Sequence, residues 1–154
     1  MNPNVSVQSI MTTEMVTVRP DEPLNAIRKI FLDNGFHHLP VTGMTGDLQG
    51  IISREDFYKV AYVLSLRSEG KPDENLDRFD SLCAADIMTK YPLHLDVDDT
   101  VGLAADIFLA NKFHALPIVD EGKLVGLITS HDLLEFVFNS PVEENPELAE
   151  YNED

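Results

Sequence analysis

Two short stretches of this chain set a hydroxyl and a carboxylate at a spacing suited to sugar and phosphate. They are Gly50-Ile51-Ile52-Ser53-Arg54-Glu55-Asp56 and Gly126-Leu127-Ile128-Thr129-Ser130-His131-Asp132. Each reads as a buried apolar strand that stops at Ser53 or Thr129 and turns into a helix. The hydroxyl and the acid three residues later, Asp56 or Asp132, then stand at that helix's N-terminus. Free backbone N–H groups and the positive end of the helix dipole gather there and suit an anion such as phosphate. A carboxylate beside them can accept hydrogen bonds from the two hydroxyls of a ribose. The chain therefore carries two expected phosphate-and-sugar sites. The competing reading is a capping box, Ser/Thr-x-x-Asp ahead of an apolar run, which needs no ligand.

Few other side chains offer chemistry. Arg54, His131, Lys123 and the three histidines His37, His38 and His114 are the local donors. Each also has a plainer reading, as a solvated first-turn residue or a structural histidine ahead of a core strand. The histidine spacing matches no standard metal-ligand pattern, so no metal is expected. Cys83 stands alone, which excludes an intrachain disulfide and fits a cytoplasmic location. It reads as a small buried side chain rather than a nucleophile. There is no nucleophile–base pair, and no Gly-rich phosphate loop of the Walker or Rossmann kind. An enzyme is not expected.

Charge narrows the partners. The net charge is −16, and six acidic residues from Glu143 onward contribute to it without a base nearby. Nucleic acid and anionic membrane surfaces are poor partners for such a chain. No apolar run is long enough to span a membrane, and the first residues lack a basic start and an apolar segment, so no secretory signal is expected. An apolar fraction of 44% supports a packed core.

The elements that must position Ser53 and Thr129 occur twice. A slide of 77 residues lays Ile10-Met11-Thr12 on Ile87-Met88-Thr89, Asp21 on Asp98, Ile30-Phe31-Leu32 on Ile107-Phe108-Leu109 and Asn34 on Asn111. It also lays Phe36-His37 on Phe113-His114 and Leu39-Pro40 on Leu116-Pro117. After one residue is lost in a turn, Gly46, Leu48, Gly50, Ile52 and Asp56 fall on Gly122, Leu124, Gly126, Ile128 and Asp132. Each copy reads as β-α-β-β-α. A short strand lies at 16–18 or 93–95. A helix follows, capped by Asp21, or by Asp98 or Asp99, and the first is stopped by a left-handed Gly35. The Leu-Pro strands 38–41 and 115–118 are expected at an edge or a strand end, since proline lacks a donor. Gly-bearing hairpins then lead into the two site strands. The closing helices carry Phe57, Val60, Ala61 and Leu64, or Leu133, Leu134, Val137 and Phe138, as core faces.

A unit this small buries little surface alone, so the two should stack about a pseudo-twofold axis. The expected fold class is α+β, two tandem repeats at 5–65 and 82–140. A polar linker at 66–81 joins them, with a helical lead-in at Cys83–Met88. An acidic disordered tail at 141–154 follows.

The repeated unit resembles the CBS domain family, and the pair resembles a CBS pair, or Bateman module. The resemblance rests on Ile-Met-Thr, Leu-Pro-Val/Ile and Gly-apolar-apolar-Ser/Thr-x-x-Asp occurring in order, twice. It implies a stand-alone regulatory module that binds an adenosine-containing ligand between the repeats: AMP, ADP, ATP or S-adenosylmethionine. It implies Ser53, Asp56, Thr129 and Asp132 as phosphate and ribose contacts. His37 and His38 match the family's phosphate-facing basic positions, where the second copy has His114 and Ala115 and so lacks one polar group. Backbone near Met11, Val16, Met88 and Leu93 corresponds to the adenine-facing segment. The resemblance also implies a homodimer acting in trans on an unknown protein, with no required cofactor. The alternative is a structural dimerisation module in which both Asp residues only cap helices.

Overall fold

The structure is a computed structural model that describes residues 2–67, 78–111 and 114–141. The centre of the expected linker, Phe113 and most of the expected tail lie outside these residues. The elements are α1 (Leu24–Asp33), β1 (His38–Thr42), β2 (Leu48–Ser53), α2 (Arg54–Arg67), α3 (Ala84–Ile87), β3 (Thr89–Lys90), β4 (Leu95–Asp96), α4 (Val101–Ala110), β5 (Ala115–Asp120), β6 (Lys123–Thr129) and α5 (Ser130–Asn139). A short 3₁₀ turn, Val7–Ser9, precedes them.

Helix α1 forms because Leu24, Ile27 and Phe31 fall on one face, and all three are fully buried. Its start corrects the expected Asp21 cap. The N-cap is Pro23, which has no side-chain acceptor, and the Leu24 N–H donates to the Leu82 carbonyl at 3.0 Å. Helix α4 is capped by Thr100, which accepts from the Leu103 N–H at 3.2 Å, not by Asp98 or Asp99. Asp99 instead accepts from the Asp96 N–H in the preceding turn. The expected left-handed Gly35 stop is also absent. Asn34 is extended at φ −132°, and its side-chain amide donates to the Ile30 carbonyl at 2.8 Å. Asn111 does the same for Ile107 at 2.7 Å. A side chain thus closes the last turn where a backbone reversal was expected.

The strands form two three-stranded sheets, β1-β2-β3 and β4-β5-β6. Hairpin β1–β2 pairs Leu39 with Ile52 and Val41 with Gly50, and β5–β6 pairs Leu116 with Ile128 and Ile118 with Gly126. The second hairpin turns through Glu121 and Gly122, both at positive φ, the two-residue turn whose twist matches paired strands. Pro117 lies in the central strand of its sheet, which corrects the expected edge position. The first repeat shows how a flanked strand tolerates proline. Pro40 offers its carbonyl to the Val18 N–H at 3.1 Å, while Thr42 donates to the Val18 carbonyl at 2.9 Å. The flanking segment pairs only at Val18, so the missing donor of Pro40 falls where pairing has already stopped.

Each repeat borrows its neighbour's lead-in. Strand β3, just ahead of the second repeat, completes the first sheet by pairing Thr89 with Ile51 and Lys90 with Gly50. Reciprocally, Thr12 bridges Leu127 in the second sheet. The cores follow the same exchange. Phe79 and Ala84 are buried with Leu24, Phe31, Leu39 and Phe57. Val7 is buried with Leu95, Ala104, Leu116 and Ile128. The hairpin tips also meet, Leu124 N–H donating to the Gly46 carbonyl at 3.0 Å. The result is two tandem repeats of the α+β class, locked by crossed-over lead-ins. The expected opening strand at 16–18 is reduced to a single bridge at Val18, and the one expected at 93–95 falls at Leu95–Asp96.

One expected core face is corrected. Leu133 packs into the second cluster, but Leu134 and Val137 are exposed and Phe138 is 85% exposed. Helical residues advance about 100° each, so when Leu133 faces inward, Leu134 and Phe138 point outward. In α2 the expected face is buried or packed, with Phe57, Val60, Ala61 and Leu64 against the first cluster.

Candidate functional site

Strand β2 ends at Ser53, and α2 begins at the next residue. Alternation along β2 sends Ile51 and Ser53 to one face while Ile52 enters the core. That face borders a cavity of about 340 Å³, within the size range of small-molecule sites. The first repeat supplies His38, Ile51, Ser53, Glu55 and Asp56. The second repeat's lead-in supplies Thr89, Pro92 and Leu93, and the start of β5 supplies His114 and Ala115. The site therefore lies between the repeats. His114 and Ala115, read from sequence as the second copy's equivalents of His37 and His38, line the same cavity as Ser53 and Asp56.

The two Ser/Thr-x-x-Asp copies differ. Thr129 and Asp132 close a full capping box. One Asp132 oxygen accepts from the Thr129 N–H and hydroxyl, both at 2.7 Å, and the Thr129 oxygen accepts from the Asp132 N–H at 3.2 Å. Asp132 borders a separate hollow of about 260 Å³ with Ile10, Glu135, Phe136 and Asn139. In the first copy only half of this exists. Ser53 accepts from the Asp56 N–H at 3.0 Å, and the Asp56 carboxylate stays with the cavity, 3.6 Å from Lys59.

The expected pool of free amide donors is also reduced. The Arg54 N–H donates to the His37 carbonyl at 2.8 Å, and the Ser130 N–H to the His114 carbonyl at 3.1 Å. With Asp56 and Asp132 donating to their own caps, two amide groups at each helix start are already satisfied. Arg54 is not among the lining residues. Its guanidinium donates to the carbonyls of Phe31 and Asn34 at the end of α1, and its buried Nε has no partner among the described residues. A cation there complements the C-terminal end of a helix.

His38 is half-buried, and its pKa lies below the ordinary 6.5. Burial is the main cause, because it strips water from the imidazolium. His37 and His114 add repulsion, and Asp56 opposes them. His38 and His114 line the cavity together, and His37 is exposed outside its lining. Among the described residues, no group of three or more metal-ligating side chains is placed to hold an ion.

Of the remaining expected site residues, Met11, Val16 and Met88 lie outside the cavity lining. Met88 packs on Gly50 and Met11 on Gly126, each reaching across from the other repeat's lead-in. Val16 is exposed outside the cavity lining, whereas Leu93 is part of it. Sequence reasoning missed Ile51, Glu55, Thr89 and Pro92. Ile51 was recoverable, since it sits two residues before Ser53 on a strand and so shares its face. Thr89 lies in the repeated Ile-Met-Thr motif, but only the crossed-over pairing brings it to Ile51.

Cys83 is half-buried and caps α3. Its N–H donates to Asp86 at 2.8 Å, which with the weaker thiol contact holds the Asp86 carboxyl below its usual range. No helix among the described residues is long and apolar enough to cross a membrane.

Fold and cavity together define a tandem-repeat module with a ligand-sized cleft between its halves. The family model for the CBS domain matches residues 7–62 and 84–139, and the chain belongs to the CBS domain family. It is 30% identical over 137 residues to a CBS domain-containing protein of Dictyostelium discoideum, covering 86% of this chain and 91% of that one. It spans only 24% and 25% of two homoserine O-acetyltransferases, from Methanococcoides burtonii and Methanosalsum zhilinae, that it also matches. Among solved structures, CBSX2 in complex with AMP shares the fold at TM-score 0.71 and 24% identity, covering 86% of this chain and 96% of that one. The CBS pair of protein MJ0100 from the complex with 5′-methylthioadenosine and S-adenosylmethionine does so at TM-score 0.68 and 23% identity, covering 88% and 98%.

Proposed function

We propose that this chain is a ligand-sensing regulatory module that holds an adenosine-containing ligand between its two repeats and acts on another protein in trans. One observation carries this reading: Ser53 and an uncapped Asp56 border the same cavity as Ile51, Pro92 and Leu93. The carboxylate suits ribose hydroxyls, and the apolar walls suit a purine face. Two proteins of the same fold were solved with AMP and with 5′-methylthioadenosine and S-adenosylmethionine, which supports the adenosine class. The module works as a cytoplasmic homodimer joined through the exposed faces of α2 and α5, where Tyr62, Leu66, Leu134 and Phe138 stand in solvent. It is not an enzyme and binds neither nucleic acid nor membrane.

A second reading, a structural pairing module without ligand, is favoured at Asp132, one of whose carboxylate oxygens closes the cap of its own helix. Thermal-shift measurements with AMP, ADP, ATP and S-adenosylmethionine separate the two. A ligand at 100 times its dissociation constant stabilises by ~2.7 kcal/mol, several degrees for a chain of this size. Asp56→Ala is expected to abolish the shift with little loss of basal stability. Asp132→Ala is expected to keep the shift and cost ~1 kcal/mol as a lost cap. No shift with any adenosine ligand would leave the pairing module as the function.

A further inference from the structure

Resting on the ligand reading above, we infer that the cavity selects by charge: it takes an adenosine compound whose 5′ substituent is neutral or cationic and discriminates against polyphosphates. The donors that a phosphate needs are absent or engaged. Among the described residues, no lysine or arginine lines the cavity, whereas Glu55 and Asp56 both do. Arg54, the cation nearest in sequence, is turned to the carbonyls of Phe31 and Asn34. Lys59 lies one turn along α2 and pairs with both acids, 3.0 Å from Glu55 and 3.6 Å from Asp56. One ammonium between two carboxylates leaves the wall net negative.

The helix start offers little in compensation, since the Arg54 and Asp56 amides already have acceptors in the His37 carbonyl and the Ser53 hydroxyl. The remaining candidates for positive charge are the imidazoles of His38 and His114. Burial disfavours the charged form of the His38 ring. The chain as a whole, at −16, adds a repulsive background for an approaching polyanion. A sulfonium or a thioether at the 5′ carbon meets none of these penalties. A sulfonium gains from the two acids, and a ribose still finds Asp56 and the hydroxyl of Ser53.

Isothermal titration calorimetry on the full chain tests this, at neutral pH, low ionic strength and without divalent metal. The probes are 5′-methylthioadenosine, S-adenosylmethionine, AMP and ATP. ATP is expected to bind at least roughly tenfold more weakly than 5′-methylthioadenosine, with AMP between them. Glu55→Gln, at an exposed position, is expected to narrow that ratio roughly threefold. ATP binding as tightly as the neutral compound, or a ratio unmoved by Glu55→Gln, overturns the inference and leaves the sensor reading intact. Failure of all four probes overturns both.

Discussion

At the scale of single residues, identical motif positions were put to different uses. Thr129 and Asp132 exchange hydrogen bonds in both directions, while Ser53 only accepts from the Asp56 N–H. A hydroxyl and an acid three residues apart are chemically equivalent in both copies, so local sequence could not separate cap from site. The surroundings decide. Asp56 has Lys59 one turn along and a cavity shared with His38, and Asp132 has neither. His38 leads to a prediction in pH. Its folded pKa lies below the ordinary 6.5, so the unfolded chain takes up a proton in a range where the folded chain does not. Stability is therefore undiminished above 6.5 and is lost as pH falls through 6.5 toward the lower folded value. Melting temperature followed from about pH 8 to about pH 5 should decline on the acid side, and His38→Asn should flatten that decline. An equally steep decline in the variant would remove His38 as its source.

At the scale of elements, the informative contacts are those between strands and the lead-ins that cross over to them. Gly50 and Gly126 open the apolar runs that end at the two hydroxyls. Their role is to admit a methionine from the other repeat's lead-in. A Cβ added at Gly126 would lie 2.9 Å from Cγ of Met11, and one at Gly50 would lie 2.8 Å from Cγ of Met88 and 3.0 Å from the Thr89 carbonyl oxygen. Gly126→Ala is expected to cost ~1–3 kcal/mol in urea denaturation, as overpacking does. Met11→Ala should offset part of that cost in a double-mutant cycle, because the obstructing atoms belong to that side chain. Gly50→Ala should be the harder substitution, since the Thr89 backbone cannot swing aside as a thioether can.

At the scale of the whole molecule, neither repeat owns its core. The first cluster needs Phe79 and Ala84 from beyond the end of α2, and the second needs Val7 from before the first repeat's own helix. Small units depend on such exchange because they bury too little surface alone. A fragment of residues 2–67 and one of residues 78–141 are each expected to unfold without a cooperative urea transition. Mixed together, they should recover one, as followed by circular dichroism. A fragment that unfolds cooperatively by itself would show that the exchange is dispensable. The same interlock places the cavity. Its walls come from β2 and α2, from the lead-in after β3 and from the start of β5, so it exists only when both repeats are assembled.

The chain by itself determined the duplication, the helix-hairpin-helix order of each copy, the two strand-to-helix turns and the residues Ser53 and Asp56 at the cavity. These follow from period, turn chemistry and motif spacing, which act over a few residues and are written locally. His38, His114, Ala115 and Leu93, which the family resemblance implied, also border the cavity. Only the tertiary structure decided which carboxylate caps and which faces the cavity, and where Arg54 points. It also decided how the helices begin without Asp21 and Asp98, and how Thr89 and Pro92 come to stand beside Ile51. Each of those depends on a partner far away in sequence: the Leu82 carbonyl for α1, the end of α1 for Arg54, the crossed-over β3 for Ile51. Contacts of that range arise from packing two repeats against each other, and a pattern within one repeat holds no record of them.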